Sequence, residues 1–261
     1  MVSSRPNSRA RAALLLAGAL IAGALAAKDA MAREDGRAVS RVVSLGGSCQ
    51  GCDLSTRKLA GAHFIGGDFR GASLVGSDLK GATFLGSDFS GADLSHADLR
   101  GATMTGATFG HADLSGALMQ GTAGVGVKLT GADLEGARLD NVAFAGADLT
   151  EADAQGARFD KSGLKAASLQ NGHFEGASFR GADLTGATLA GGHFEDSDFT
   201  GADMKGASIA GANLAAARGL TRDQISDACA DHATRLPEGI VPPRGCVHGL
   251  IILHRFRGLG F

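Results

Sequence analysis

The sequence predicts an all-β fold, a four-sided β-helix of about eight coils that ends in a short capping helix. Three observations support this prediction. A large apolar residue recurs at every fifth position from Leu54 to Leu214 with two exceptions, similar residues recur at a lag of twenty, and a helix-start motif follows the last repeat. A period of five fits neither an α-helix nor the simple alternation of a β-strand. Repeats sustained over this length are typical of solenoid proteins.

The five-residue unit has one layout throughout. A large apolar centre, such as Leu94, follows a small residue two positions earlier and precedes a residue two positions later that is mainly Gly. The 33 consecutive units stay in phase, and only Gly124 and Ala154 are small at the centre. One side of a square coil satisfies this layout. The centre and the small residue point inward, and Gly supports the turn at the corner.

A second period of twenty residues indicates four units per coil. Residues 64–83 match residues 84–103 at 12 of 20 positions, and residues 172–191 match residues 192–211 at 12 of 20. With four units per coil, a strand spacing of ~4.8 Å predicts a β-helix roughly 40 Å long. Central Phe residues recur at this lag more often than at any shorter one: Phe64/Phe84, Phe69/Phe89/Phe109, Phe159/Phe179/Phe199 and Phe174/Phe194.

These repeats resemble those of the pentapeptide-repeat family, whose A-D/N-L-x-x pattern is present at Ala92-Asp93-Leu94 and Ala182-Asp183-Leu184. The resemblance covers residues 53 to about 218. It implies a right-handed quadrilateral β-helix with four units in each coil. The segment that follows the repeats is similar to the C-terminal cap of many exported members.

The two ends of the chain differ from the repeats. Three Arg residues precede an apolar run, Ala12 to Ala27, and the small residues Ala30 and Ala32 offer a cleavage site near Ala32. This order predicts a signal peptide and a periplasmic or secreted product, because the run is short for a membrane span. An uncleaved anchor is the alternative.

After the repeats, Thr221 and Gln224 form a predicted capping box, and Leu220, Ile225 and Ala228 are expected to cover the end of the core.

The predicted organisation therefore has five parts. They are a signal peptide (1–32), a lead-in (33–48), the repeat β-helix (49–219), a helical cap (220–246) and a tail without a predicted role (247–261).

The four cysteines lie in two pairs, one at each end of the repeats. Disulfides need Cα atoms within ~7 Å, so pairing across a ~40 Å helix is excluded. The sequence therefore predicts Cys49–Cys52 and Cys229–Cys246, which suits an oxidising compartment. A redox role for the CxxC motif is the alternative. We favour structural bonds because a redox motif normally opens a helix, and this one opens a β-coil.

One cluster could hold a metal ion. His173 and His193 are predicted to stack on successive coils, beside Glu175, Glu195 and Asp196. Imidazoles and carboxylates are ligands of divalent metals. Solvated side chains carried along by a duplicated coil also explain the pattern, and we favour that interpretation, so no metal or cofactor is predicted. A filled core leaves no pocket for a catalytic set, and the sequence predicts no enzyme.

The constant five-residue register assigns each outward-pointing residue to one of the four faces, provided that no β-bulge interrupts it. A bulge is most expected at Gly124–Val127. We call the face of Leu54, Leu94, Leu114 and Leu134 the acidic face, since it has no Lys or Arg. The next face is mainly basic, and the one opposite the acidic face has a strip without charge over four coils. That strip is Thr83, Leu85, Thr103, Thr105, Ala123, Val125, Ala143 and Ala145. The acidic residues proposed as a binding surface are Asp93, Asp113, Asp133, Glu135, Asp153, Glu175 and Glu195; Asp53 and Asp196 share the face.

Two functions remain open at this stage. The first is an exported, non-enzymatic scaffold or protein-interaction module, with the acidic and uncharged faces as candidate contact surfaces for a protein partner. No nucleic acid partner is predicted, nor is stable membrane insertion of the mature chain. The resemblance supplies the alternative, a DNA-mimicking protein that binds a topoisomerase, as in the quinolone-resistance branch. The predicted signal peptide and the basic second face disfavour the alternative.

Overall fold

Parallel pairing at a constant offset of twenty residues organises the fold. The structure is a computed structural model that describes residues 47–241. Each side of a coil contributes single bridging residues instead of a longer strand, and each bridge joins residues i and i+20 in parallel, from Ser48↔Asp68 to Asp198↔Arg218. The bridges Ala123↔Ala143 and Lys128↔Asp148 keep the offset on both sides of Gly124–Val127, so no bulge shifts the faces there.

The corners have the left-handed backbone conformation that the Gly pattern predicts. Gly91, for example, has φ +63°, which glycine adopts without steric cost. At nine corners another residue has a positive φ. Asn, Asp and His tolerate this conformation better than most residues, and they supply five of the nine. The nine are Thr56, His96, His111, Asn141, Glu151, Lys161, Ala166, Asn171 and Asp196.

The core is filled by the central residues and the small residues two positions before them. Phe89 is fully buried, and its ring stacks on Phe69 at 4.8 Å and on Phe109 at 5.3 Å between ring centroids. A second column stacks Phe159, Phe179 and Phe199 in the same way. The predicted columns of Phe therefore exist, because side chains twenty residues apart lie directly over one another.

Two glycines replace the expected Ala where a ring needs the space. A Cβ atom added to Gly172 would lie 2.5 Å from Phe174 Cε2, and one added to Gly192 would lie 2.7 Å from Phe194 Cε2. These two Phe residues are the only ones at the centre of the acidic face. On the acidic face, a central Phe is therefore accompanied by Gly two positions earlier, because the ring occupies the space that an alanine methyl group would take.

The cap continues the β-helix after the last repeat. Helix α1, Arg222–Ile225, has the predicted capping box between Thr221 and Gln224. The side-chain amide of Gln224 also donates hydrogen bonds to the carbonyl oxygens of Phe199 and Ala202, both at 2.9 Å. The chain then pairs again with the last coil through Ser208↔Cys229 and Asn213↔Arg235. Leu220, Ile225 and Ala228 are buried, as predicted.

Several sequence predictions fall outside the described residues. They concern the signal peptide 1–32, residues 33–46 of the lead-in, the end of the cap from 242 and the tail 247–261. Within residues 47–241, no helix has the length and the hydropathy that a membrane crossing requires.

Candidate interaction faces

A local hydrogen bond explains why Asp so often precedes the centre of a unit. Oδ1 of Asp113 accepts hydrogen bonds from the backbone N–H of Ser115 at 2.9 Å and from its hydroxyl at 2.6 Å. Asp93 contacts Ser95 in the same way. Such a side chain ties down the turn that follows it. The Asp residues of the acidic face therefore have a structural role, and the A-D-L pattern is the sequence signal for it.

On the neighbouring basic face, cations neutralise the carboxylates in a ladder. Lys80 lies 3.3 Å from Asp78 and 3.0 Å from Asp98 on the next coil, and Arg100 lies 2.7 Å from Asp98. Hydrogen bonds from Arg100 and then from Lys80 lower the pKa of Asp98 to about 2. Further pairs on this face join Arg138 and Arg158 to Asp140, Arg158 to Asp160, and Arg180 to Asp198.

The acidic face lacks these cations. Its bridging column is continuous over Asp93, Asp113, Asp133, Asp153, His173 and His193. Among residues 47–241, no Lys or Arg forms a salt bridge with a carboxylate of this face, whereas the other three faces each have at least one such pair. Its carboxylates therefore repel one another at coil spacing, without the Lys and Arg salt bridges that offset such repulsion on the other faces.

The positions of the predicted acidic residues fit a surface role. All seven lie on one face and none is fully buried, with Glu135 the most open to solvent. The structure therefore brings together on one face the complete set that the sequence proposes.

The opposite face has an exposed apolar column. Leu85 is 46% exposed and Val125 is 57% exposed. Ile65, which the sequence prediction did not include, is 47% exposed one coil before Leu85. These three are the large exposed apolar residues of the described repeats, and Lys165 ends the column toward the C-terminus. Thr105 separates Leu85 from Val125 in this column, and exposed apolar surface of this kind is a candidate contact region.

The two predicted histidines do stack. The rings of His173 and His193 lie 5.0 Å apart between centroids with an interplanar angle of 16°. His173 Nδ1 lies 3.4 Å from Glu175 Oε1, and His193 Nδ1 lies 3.9 Å from Glu195 Oε1. Ligand atoms of His173, Glu175 and His193 all fall within 4.8 Å of one another. The cluster lies at the C-terminal end of the acidic face.

The cysteines agree with the predicted pairing as far as the structure describes them. Cys49 and Cys52 form a disulfide with 5.4 Å between their Cα atoms. Cys229 is also disulfide-bonded. Its predicted partner, Cys246, lies outside the described residues.

Similarity to known proteins agrees with the repeat register. The chain matches the family described as Pentapeptide repeats, with eight copies, over residues 48–86, 84–121, 128–162, 164–191 and 177–215. Among curated proteins, none gives a significant match to this chain.

Solved structures of repeat proteins also align. A trypsin-treated variant of QnrB1, a plasmid-mediated fluoroquinolone resistance protein, is 20% identical over 72% of this chain and 90% of its own, with a TM-score of 0.48. HetL, a pentapeptide repeat protein involved in heterocyst differentiation regulation in Nostoc sp. strain PCC 7120, is 27% identical over 74% and 94%, with a TM-score of 0.27. A pentapeptide repeat protein of the Arabidopsis thaliana thylakoid lumen is 32% identical over 42% and 66%, with a TM-score of 0.31.

The family's repeats occupy more than half of the chain, and the described coils follow the same five-residue unit. The chain therefore belongs to the pentapeptide-repeat family, whose members form right-handed quadrilateral β-helices.

Proposed function

We propose that this chain is an exported, non-enzymatic scaffold of about eight four-sided coils with a helical cap, and that its acidic face binds a basic protein partner. The observation that carries the proposal is the separation of charge between faces. Carboxylates are paired with Lys or Arg on the other faces and are left without such partners on the acidic face in residues 47–241. A surface of one sign attracts a partner of the opposite sign and speeds its association.

Export is supported by two features. The N-terminal segment has the order of a signal peptide, and the disulfide between Cys49 and Cys52 suits an oxidising compartment. Fractionation of the native host, with sequencing of the mature N-terminus, tests this part. We expect a periplasmic or secreted product cleaved near Ala32. Uncleaved protein in the cytosol would contradict export and would favour the DNA-mimic alternative.

Neutralising the acidic face should abolish partner binding. We choose Asp113→Asn with Asp133→Asn, because an Asn side-chain carbonyl can still accept the local backbone N–H and so preserves the turn. The matched control is Thr103→Lys with Ala123→Lys, which changes the net charge equally at the same repeat position on the opposite face. A photo-crosslinking residue at position 115, tested in the native host, provides the measurement.

We expect an adduct with a basic protein that decreases at high salt, is lost in the Asn double variant and persists in the Lys double variant. Equal adducts in all three proteins, or an adduct that forms only from position 105 on the opposite face, would exclude the acidic face as the contact surface.

A further inference from the structure

The strongest candidate for a further site is the His–Glu cluster at the C-terminal end of the acidic face. The bridge His173↔His193 holds the two imidazoles one above the other, and the same coils place Glu175 and Glu195 one above the other beside them. A parallel β-ladder fixes this spacing at about 4.8 Å. Two exposed imidazoles and two half-buried carboxylates therefore share a rigid support, and this preorganisation favours metal binding.

The carboxylates of the cluster have unused oxygens. Glu175 Oε1 lies 3.4 Å from His173 Nδ1, and Glu195 Oε1 accepts a hydrogen bond from the amide of Asn213. In contrast, Oε2 of each Glu is covered from solvent and has no hydrogen-bond partner among the described residues. Two covered carboxylate oxygens without partners, on stacked groups of like charge, are costly unless a cation compensates them.

The distances are close to those of a zinc site. In a tetrahedral site with metal–ligand bonds of about 2.05 Å, neighbouring ligand atoms lie about 3.3 Å apart. The 3.4 Å between His173 Nδ1 and Glu175 Oε1 already matches this value. The ligand atoms of the trio lie within 4.8 Å of one another, so small side-chain rotations suffice to bring them to tetrahedral spacing.

We propose that His173, His193 and Glu175 bind one divalent ion of the zinc class, with the fourth coordination position open. Imidazole nitrogen with carboxylate oxygen suits Zn²⁺, Cu²⁺ and Ni²⁺ better than Ca²⁺ or Mg²⁺, which prefer oxygen ligands alone. The stacked carboxylates of the acidic face raise the local concentration of cations near the site. The ion links two successive coils and neutralises part of their charge repulsion.

A calorimetric titration of the purified mature protein with ZnSO₄ tests the site. His173→Ala, His193→Ala and Glu175→Gln each remove one ligand from an exposed or half-buried position. The matched control is His63→Ala, because His63 has the same repeat position and bridges Thr83 on the opposite face, but Ile65 replaces the neighbouring Glu. Circular dichroism of the metal-free variants checks that each remains folded.

We expect wild type and His63→Ala to bind one equivalent of Zn²⁺. The His173→Ala and His193→Ala variants should bind this equivalent at least about tenfold more weakly or not at all. Glu175→Gln should weaken the same equivalent. Substitution by Cu²⁺ should give a spectrum with two nitrogen ligands, which neither single His variant can supply. Equal binding by wild type and the His variants would overturn the proposal. The proposal would also be overturned if only the Asp113→Asn/Asp133→Asn variant bound less Zn²⁺, because that result would indicate diffuse attraction of cations by the acidic face.

Discussion

Phe89→Ala should lower the free energy of unfolding by more than any surface change in this protein. The ring is fully buried, stacks on Phe69 and Phe109, and meets the ring of Phe84 edge-on at 5.2 Å. Removing a buried Phe costs about 3–5 kcal/mol through lost burial and the cavity left behind. Each lost ring pair adds about 0.5–1.5 kcal/mol. Urea unfolding followed by circular dichroism measures the change.

Leu149→Ala is the matched control for this substitution. Leu149 is also fully buried and has the same position on the same side of the coil, in a column where its neighbours are Leu129 and Leu169. Its loss should cost about 2–5 kcal/mol from burial and cavity alone. If Phe89→Ala proved no more costly than Leu149→Ala, the ring column would not contribute beyond ordinary burial.

Removal of the cap should make the chain self-associate through the exposed end of its last coil. A chain that stops after Gly219 loses α1 and the bridges Ser208↔Cys229 and Asn213↔Arg235. The last coil then exposes unpaired backbone N–H and C=O groups and the open end of the apolar core. Such an edge is a template for pairing with another chain. Light scattering during size-exclusion chromatography, at several protein concentrations, should detect oligomers that grow with concentration.

A chain that stops after Cys246 provides the control for cap removal. It lacks the tail 247–261 but keeps the whole predicted cap, including Cys246, the predicted disulfide partner of Cys229. This control should behave like the mature protein, since the pairing of the last coil is intact. A monomer from the chain that stops after Gly219 would show that the cap does not protect the edge.

The repeat made most of the fold predictable from sequence. A strict period of five leaves few ways to bury every centre, and the lag of twenty between Phe69, Phe89 and Phe109 identifies the stacked column that the structure contains. The capping box at Thr221 and Gln224 was equally local, so its residues sufficed to predict it. The seven acidic residues followed from the register alone, because no bulge interrupts it.

Features that depend on side-chain shape were not predictable in the same way. The space that Phe174 takes from Gly172 depends on the direction of one ring. The additional contacts of Gln224 with the carbonyls of Phe199 and Ala202 depend on how the cap folds back. The covered Oε2 atoms of Glu175 and Glu195 appear only once both coils are packed. A period specifies which residues share a column, whereas these contacts need the positions of individual atoms.

Distances between spin labels test the four-sided coil most directly. Labels on Ser55→Cys and Ala215→Cys span 160 residues on the acidic face, and pulsed electron paramagnetic resonance measures their separation. Four units per coil predict eight coils and a separation of about 38 Å, and labels on Ser95→Cys and Ala215→Cys should lie about 29 Å apart. A three-sided coil would instead place the first pair about 51 Å apart, and that result would contradict both the coil and the assignment of residues to faces.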